Sequence, residues 1–367
     1  MAIRAKTNNL IQIRPLTGRR LANSEHNRQE MKNGATVLTS KPQRLVFELT
    51  NACNLNCLMC GRNSATFELT RFNSEWFKKF EPIMSDIEEV TLMGWGEPTI
   101  HPQFKEMLQY LHERGIRKYF CTNGMRLDVL KDAIFDYEVD VFAVSMDGAD
   151  AKTNEFLRRG LNYQKVIEGL KAITNEKALR GLNFPHINFV MTMMKSNIRQ
   201  LPDMVDLAAE LGLNEVKGVF LTAFSENLLE ETLFDDMDLV RYCFGQAEER
   251  AAKLGILLKL PHQRGEDPAG DAAHKPCFTA WRDFFLGSDG YVRACMSSPE
   301  KLFHIDQYPD FESMWNSREY QEWRAQVNVP GKMCPSCGRC YQSSFANWNK
   351  EHAFIQIDTE FSPKWEK

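Results

Sequence analysis

The sequence predicts an α/β fold: six parallel strands curled by their crossovers into a barrel or part of one, with a small second domain behind them. Three observations carry this. Apolar runs alternate with helical patterns from residue 43 to residue 221, and that alternation stops at Cys277. The ten cysteines are clustered, three at 53 to 60 and five at 277 to 340. Strands that alternate with helices build parallel sheets, and their right-handed crossovers curl the sheet.

Taken in order, "QRLVFELT" (43 to 50) reads as the first strand, "NSEWFKKFEPIM" (73 to 84) as a helix capped by Asn73, and "EEVTLM" (88 to 93) as the second strand. Helix "PQFKEMLQYLHERG" ends at Gly115 and leads to strand "KYFCT". Helix "RLDVLKDAIF", strand "VDVFAVS", helix "YQKVIEGLKAITNE", strand "HINFVMTMM", helix "LPDMVDLAAELG" and strand "EVKGVFL" complete the run. The predicted units are an arm at 1–42, the barrel at 43–225, a helical connector and a Gly/Pro-rich linker at 226–273, the small domain at 274–345 and a tail at 346–367. The arm is basic, with no acid before Glu25, and reads as a flexible segment packing on the protein or near a substrate.

Apolar residues make up 43% and charged residues 26%, which are globular values, and the net charge of -4 demands neither nucleic acid nor an acidic surface as partner. No run of 18 apolar residues is present, so the expectation is a chain without a membrane span. Cysteines spaced by two or three, without a secretory signal, suggest metal-bound thiolates in the reducing cytoplasm.

Cys53, Cys57 and Cys60 form C-x3-C-x2-C on the loop after the first strand, at the end of the barrel where reactive sites gather. A four-iron cube held by three thiolates keeps one iron free for a small molecule. Zinc usually takes paired C-x2-C knuckles, which would leave Cys53 without a role. The second strand runs into "MGWGEP", where Gly94 and Gly96 permit close approach of the backbone to a ligand and Glu97 supplies a carboxylate.

With these residues in view, the first two thirds of the chain resemble a radical S-adenosylmethionine (radical SAM) enzyme. "CNLNCLMC" matches the family's cluster loop, "GWGEP" its Gly-Gly-Glu-type motif, "CTNG" (121 to 124) its third-strand end and "VSMDG" (144 to 148) its fourth-strand end. Met59 departs from the pattern, since the family usually places an aromatic residue before the last cysteine. The resemblance implies a partial TIM-like (β/α)6 barrel in which Cys53, Cys57 and Cys60 hold a 4Fe-4S cube that S-adenosylmethionine chelates. Gly94, Gly96 and Glu97 would meet the methionine amine, Ser145 the ribose or carboxylate, and Arg158 or Arg159 in "EFLRRG" the methionine carboxylate. An electron would then split the sulfonium, and the 5'-deoxyadenosyl radical would take a hydrogen atom from the substrate.

In the small domain, "FFLGSDGYVRAC" reads as a hairpin with Asp289 and Gly290 in its turn, and Cys277 and Cys295 flank its strands. "CPSCGRC" adds Cys334, Cys337 and Cys340. By spacing alone, zinc and iron-sulfur are equally compatible here. The layout resembles the twitch domain, a truncated relative of SPASM, which implies one auxiliary 4Fe-4S cluster on Cys277, Cys295, Cys334 and Cys337, with Cys340 as a substitute. "DFESMWNSREYQEWRAQV" (310 to 327) reads as an amphipathic helix packed on that cluster.

The expected reaction is oxidation of a small molecule such as a sugar or aminocyclitol, with the auxiliary cluster taking an electron and a flavodoxin or ferredoxin as electron donor. The short segment before the first strand favours a small molecule over a peptide, though a peptide maturase stays open. A redox-neutral epimerase would use a free thiol as hydrogen donor, and Cys121 at the third-strand end is the candidate. The non-enzyme alternative is an iron-sulfur or zinc protein that carries electrons or binds a partner.

Overall fold

The structure, a computed structural model, describes residues 15–63, 68–233, 235–261, 277–295, 298, 300–329 and 331–341, the last three by backbone only. The tail at 346–367 and most of the linker lie outside these residues.

The arm contains a helix, α1 (Gly18–Lys32). The six expected strands follow: β1 (Arg44–Phe47), β2 (Glu89–Leu92), β3 (Arg117–Thr122), β4 (Val141–Ser145), β5 (His186–Met193) and β6 (Glu215–Phe220). Each pairs in parallel with the next. Between them run α2 (Phe104–Glu113), α3 (Leu127–Asp136), α4 (Ala151–Leu157), α5 (Tyr163–Leu179) and α6 (Leu201–Glu210). Leu45, Val90, Phe120, Phe142, Phe189 and Val216 belong to one continuous core shared with the helices. The residues between them face the other way. Tyr119, Val141 and Ala143, with Met93, Cys121 and Val190, form a separate cluster on the concave side, as the two-residue period of a strand requires.

Four expectations change. The segment 73–84 is a chain of short turns rather than a helix, since Pro82 lacks an amide donor and its ring blocks the preceding turn. Asn73 still caps it, accepting from the Glu75 N–H at 3.0 Å. The connector carries another helix-strand unit, α7 (Met237–Leu254) and β7 (Leu257–Lys259), and β7 pairs in parallel with β6.

The third change concerns the second domain. Its hairpin strands, β8 (Asp283–Leu286) and β9 (Tyr291–Arg293), followed by β10 (Lys301–His304), do not form a sheet of their own. β8 pairs in parallel with β1, giving the order β10-β9-β8-β1-β2-β3-β4-β5-β6-β7. The small domain therefore extends the barrel wall from its free edge. A parallel strand edge left bare would expose a row of unpaired amides and carbonyls, and β8 covers it.

The expected helix over 310–327 is two helices, α8 (Phe311–Trp315) and α9 (Arg318–Gln326). Asn316 interrupts them by exchanging hydrogen bonds with the main chain of Leu38, both at 2.8 Å, and Ser317 caps α9 through the Tyr320 N–H. Phe311, Trp315 and Tyr320 pack around Phe284 of β8. The arm seals this packing. Asn27 donates to the Trp281 carbonyl, the Trp315 indole to the Ser40 carbonyl and Arg324 to the Thr36 carbonyl. The described part of the arm is thus a structural strap. A last helix, α10 (Pro335–Tyr341), carries the C-terminal cysteines.

Candidate iron-sulfur and S-adenosylmethionine site

The cysteine loop follows β1 and is latched to the segment after α4. The amide of Asn56 donates to the Arg159 carbonyl at 2.9 Å, and that of Leu58 to the Leu157 carbonyl at 2.8 Å. Cys60 and Asn63 close two tight turns, and the Asn63 amide side chain donates to the Cys57 carbonyl at 2.6 Å. Cys53, Cys57 and Cys60 are all half-buried and reduced. Burial pushes all three thiols up, Cys57 to about 11 in spite of the nearby Arg158 cation. Thiols gathered where the thiolate is disfavoured fit a metal site, because a bound cation supplies the missing compensation and displaces the protons.

Gly94 and Gly96 are required for an approach within the chain. A Cβ at Gly96 would lie 2.2 Å from the Ala52 carbonyl oxygen and 2.3 Å from that of Thr50. The turn after β2 therefore rests directly on the start of the cysteine loop, and the Glu97 N–H donates to the Ala52 carbonyl at 2.9 Å. A Cβ at Gly94 would strike the Glu48 side chain at 2.3 Å. The two glycines thus also serve a close approach within the protein itself.

Glu97, expected to face the methionine amine, spends its carboxylate on neighbouring loops. It is buried and accepts from the Thr99 and Thr122 hydroxyls at 2.6 and 2.7 Å, and from the Thr99 and Asn123 amides. Burial pushes this carboxyl up despite those bonds. Through it the "GWGEP" turn is tied to "CTNG". Asn123 continues the chain of contacts, donating to Asn54 Oδ1 at 2.8 Å, with its Nδ2 also 3.9 Å from the Cys53 Sγ.

Arg158 and Arg159 separate. The Arg159 side chain is exposed. Arg158 is buried, its Nε 2.7 Å from Asp147 Oδ2 and its Nη1 4.0 Å from the Cys57 Sγ. Burial disfavours its charge, but Asp147 and the thiols of Cys57, Cys121 and Cys60 outweigh that and hold the guanidinium cationic. Asp147 is itself fixed by the Thr192 N–H at 2.7 Å. Ser145 and Cys121 meet on the concave face, Oγ to Sγ 3.5 Å. Met59 is packed with Leu157, Met194 and Leu221, while aromatic rings approach the loop from elsewhere: Trp95 lies against Gly61 and in edge contact with Phe224.

Sequence reading gave no role to Glu48, Asn123 or Asp147. Glu48 accepts from the Trp95 N–H at 2.6 Å and, through its other oxygen, from the Ser288 amide and hydroxyl at 3.2 and 3.0 Å. It joins the "GWGEP" turn to the β8–β9 turn. The only signal was a carboxylate in an apolar strand pattern. Asn123 and Asp147 lie inside quoted motifs, but their partners are distant in sequence.

At the second site, the side chains of Cys334 and Cys337 lie close together, and their interaction holds Cys334 down and pushes Cys337 up. Cys295 acts electrostatically on Cys337, and the Trp323 indole stands beside it. The main chain of Cys277 is held by Asn328 through bonds of 2.7 and 3.1 Å. The side chain of Cys340 lies outside the described residues. This thiol-rich donor set fits an iron-sulfur cluster.

A partial parallel barrel with three thiols at its carboxyl end, a buried cation beside them and a second thiol cluster defines an iron-sulfur enzyme of the radical-generating kind. The chain belongs to the radical SAM superfamily, whose family model matches residues 47–208, and it carries a SPASM iron-sulfur cluster-binding domain at residues 277–341. Its cofactors are S-adenosylmethionine and two 4Fe-4S clusters. The chain is 25% identical over 332 residues to the AdoMet-dependent heme synthase of Methanosarcina barkeri, covering 83% of this chain and 90% of that protein. It is 31% identical over 178 residues to the mycofactocin maturase MftC of Mycolicibacterium smegmatis, covering 47% of this chain but 43% of the maturase. The fold is similar to that of Streptococcus suis SuiB bound to S-adenosylmethionine, with a TM-score of 0.65 at 15% identity, over 98% of this chain and 86% of SuiB. Among the described residues, no helix is long and apolar enough to cross a membrane.

Proposed function

We propose that this protein oxidises a carbon centre of its substrate at the concave face of the barrel, and that the auxiliary cluster receives the electron the substrate radical must lose. The observation that carries this reading is the direct bracing of the first site against the auxiliary domain: Glu48 holds the turn beside the first cysteine loop with one oxygen and the β8–β9 turn of that domain with the other. Bound together, the first cluster and S-adenosylmethionine supply reductive cleavage of the sulfonium and abstraction of a substrate hydrogen atom. Cys53, Cys57 and Cys60 hold the cluster. The main chain of residues 94–96 meets the methionine amine, and the Arg158 guanidinium, aimed by Asp147, meets the carboxylate. Ser145 hydrogen-bonds the ribose or carboxylate. Cys277, Cys295, Cys334 and Cys337 are the candidate thiolates of the auxiliary site.

Neither relative above is named for sugar chemistry, so the substrate class widens to a peptide or a small molecule of another kind. The heme synthase supports a small molecule by matching most of both chains, and the maturase supports a peptide over 47% of this chain. Anaerobic reconstitution of the full chain, followed by reductant and S-adenosylmethionine, is expected to give about eight irons and 5'-deoxyadenosine. Cys57→Ala is expected to retain about four irons and form no 5'-deoxyadenosine. Cleavage at the wild-type rate in that variant would sink the assignment.

A second reading, redox-neutral hydrogen exchange, is favoured by the placement of the Cys121 thiol on the concave face beside Ser145. If it holds, Cys121→Ala cleaves S-adenosylmethionine normally but fails to deliver solvent deuterium into product. Unchanged deuterium delivery excludes Cys121 as the donor.

A further inference from the structure

The auxiliary site contains a carboxylate as well as thiols. One oxygen of Glu300 and the Sγ atoms of Cys334 and Cys337 all lie within 4.8 Å of one another, and all three residues are half-buried. The carboxylate is oriented there by its surroundings. The Ser336 N–H donates to Oε1 at 3.2 Å, the Ser298 hydroxyl donates to Oε2 at 3.3 Å, and the Glu300 N–H donates back to that hydroxyl at 3.2 Å. The hydroxyls of Ser298 and Ser336 meet at 2.8 Å. Ser298 and Glu300 on one side and residues 334–337 on the other, far apart in sequence, are thereby stitched together around these three donor atoms.

Among the described residues, no lysine or arginine forms an ion pair with Glu300, and its bonds come from neutral donors. A carboxylate facing two thiolates is repulsive unless a cation lies between them. Once both cysteines are ionised, as cluster binding requires, positive charge in the space they share balances the carboxylate that these neutral donors aim there.

We propose that Glu300 is an oxygen ligand of the auxiliary iron-sulfur cluster in place of one of the four candidate cysteines: one iron takes this carboxylate, and three thiolates, Cys334 and Cys337 among them, hold the other three. The proposal rests on the auxiliary site holding a cluster, as the reading above requires. Carboxylate oxygen is a harder donor than thiolate and binds iron of such clusters less tightly, so the Glu300 corner is the exchangeable one.

The test is iron and sulfide content together with electron paramagnetic resonance of the full-length protein, reconstituted anaerobically, for Glu300→Ala, Glu300→Gln and Glu300→Cys. The signal of the first cluster is recognised by its shift on adding S-adenosylmethionine. Glu300→Ala and Glu300→Gln are expected to lose one iron, to about seven, and to show a three-iron signal when oxidised, while the first-cluster signal stays unchanged. Glu300→Cys is expected to restore about eight irons with a shifted auxiliary signal. Wild-type iron content and an unaltered auxiliary spectrum in both Glu300→Gln and Glu300→Cys would overturn the proposal. A wild-type protein holding only about four irons, or zinc at this site, would instead defeat the auxiliary-cluster reading before any variant is compared. Glu300→Gln preserves size and an acceptor oxygen for the Ser336 N–H, so a folding defect in Glu300→Ala does not remove the test.

Discussion

Asp283→Asn is expected to destabilise the protein by about 3–5 kcal/mol, the cost of breaking a buried ion pair by removing one partner. Asp283 opens β8 opposite Arg44 of β1, at the seam where the auxiliary domain joins the barrel. Its carboxylate binds the guanidiniums of both Arg44 and Arg282, the latter at 2.8 and 2.9 Å. Burial alone would push this carboxyl up, but the two cations outweigh it and hold it well below the usual carboxylate range. A carboxyl depressed in the folded state contributes fully above its unfolded pKa, near about 4, and loses that contribution only as the pH falls toward the folded value. The difference between wild type and variant should therefore be equal at pH 8 and pH 5.5. Chemical denaturation at both values checks it. A loss under about 1 kcal/mol, the range of an exposed pair, would mean that the seam is held by its backbone ladder and the packing around Phe284 alone.

That seam also marks the limit of what the sequence conveyed. The six-strand alternation was legible because β1 to β6 carry local, periodic apolar patterns bounded by caps and turns. The edge pairing of β8 on β1 was not, because parallel pairing across more than 230 residues leaves no local pattern: "DFFL" reads the same in a separate hairpin as in a barrel wall. β7 escaped for a related reason, being three residues long and half-buried. At the site, residue types and spacing disclosed the cysteines and the loop turns. What each polar side chain does was hidden, since Glu97 in its motif looks like a ligand group and in the structure is a loop fastener. Glu48 and Asp147 act through partners brought close only by the fold.

The pair of Asp147 and Arg158 leads to the other large expected effect. Arg158 is buried beside Cys57, with its Nε ion-paired to Asp147 and its Nη1 4.0 Å from the Cys57 Sγ. A guanidinium in that place can grip a carboxylate with two parallel bonds, which a lysine cannot do. Arg158→Lys is expected to keep the charge and the first cluster but to weaken S-adenosylmethionine binding at least tenfold, or about 1.4 kcal/mol. Asp147→Asn should do the same by a different route: it removes the acceptor that aims Arg158 and leaves a buried cation without its counter-charge. The two changes act on one contact, so the double variant should lose little more than the worse single one. Titration of the reduced cluster signal with S-adenosylmethionine reads the affinity, and iron content verifies that the cluster remains. Wild-type affinity in Arg158→Lys, with iron intact, would show that the methionine carboxylate is held elsewhere and that Arg158 serves only to balance charge beside Cys57.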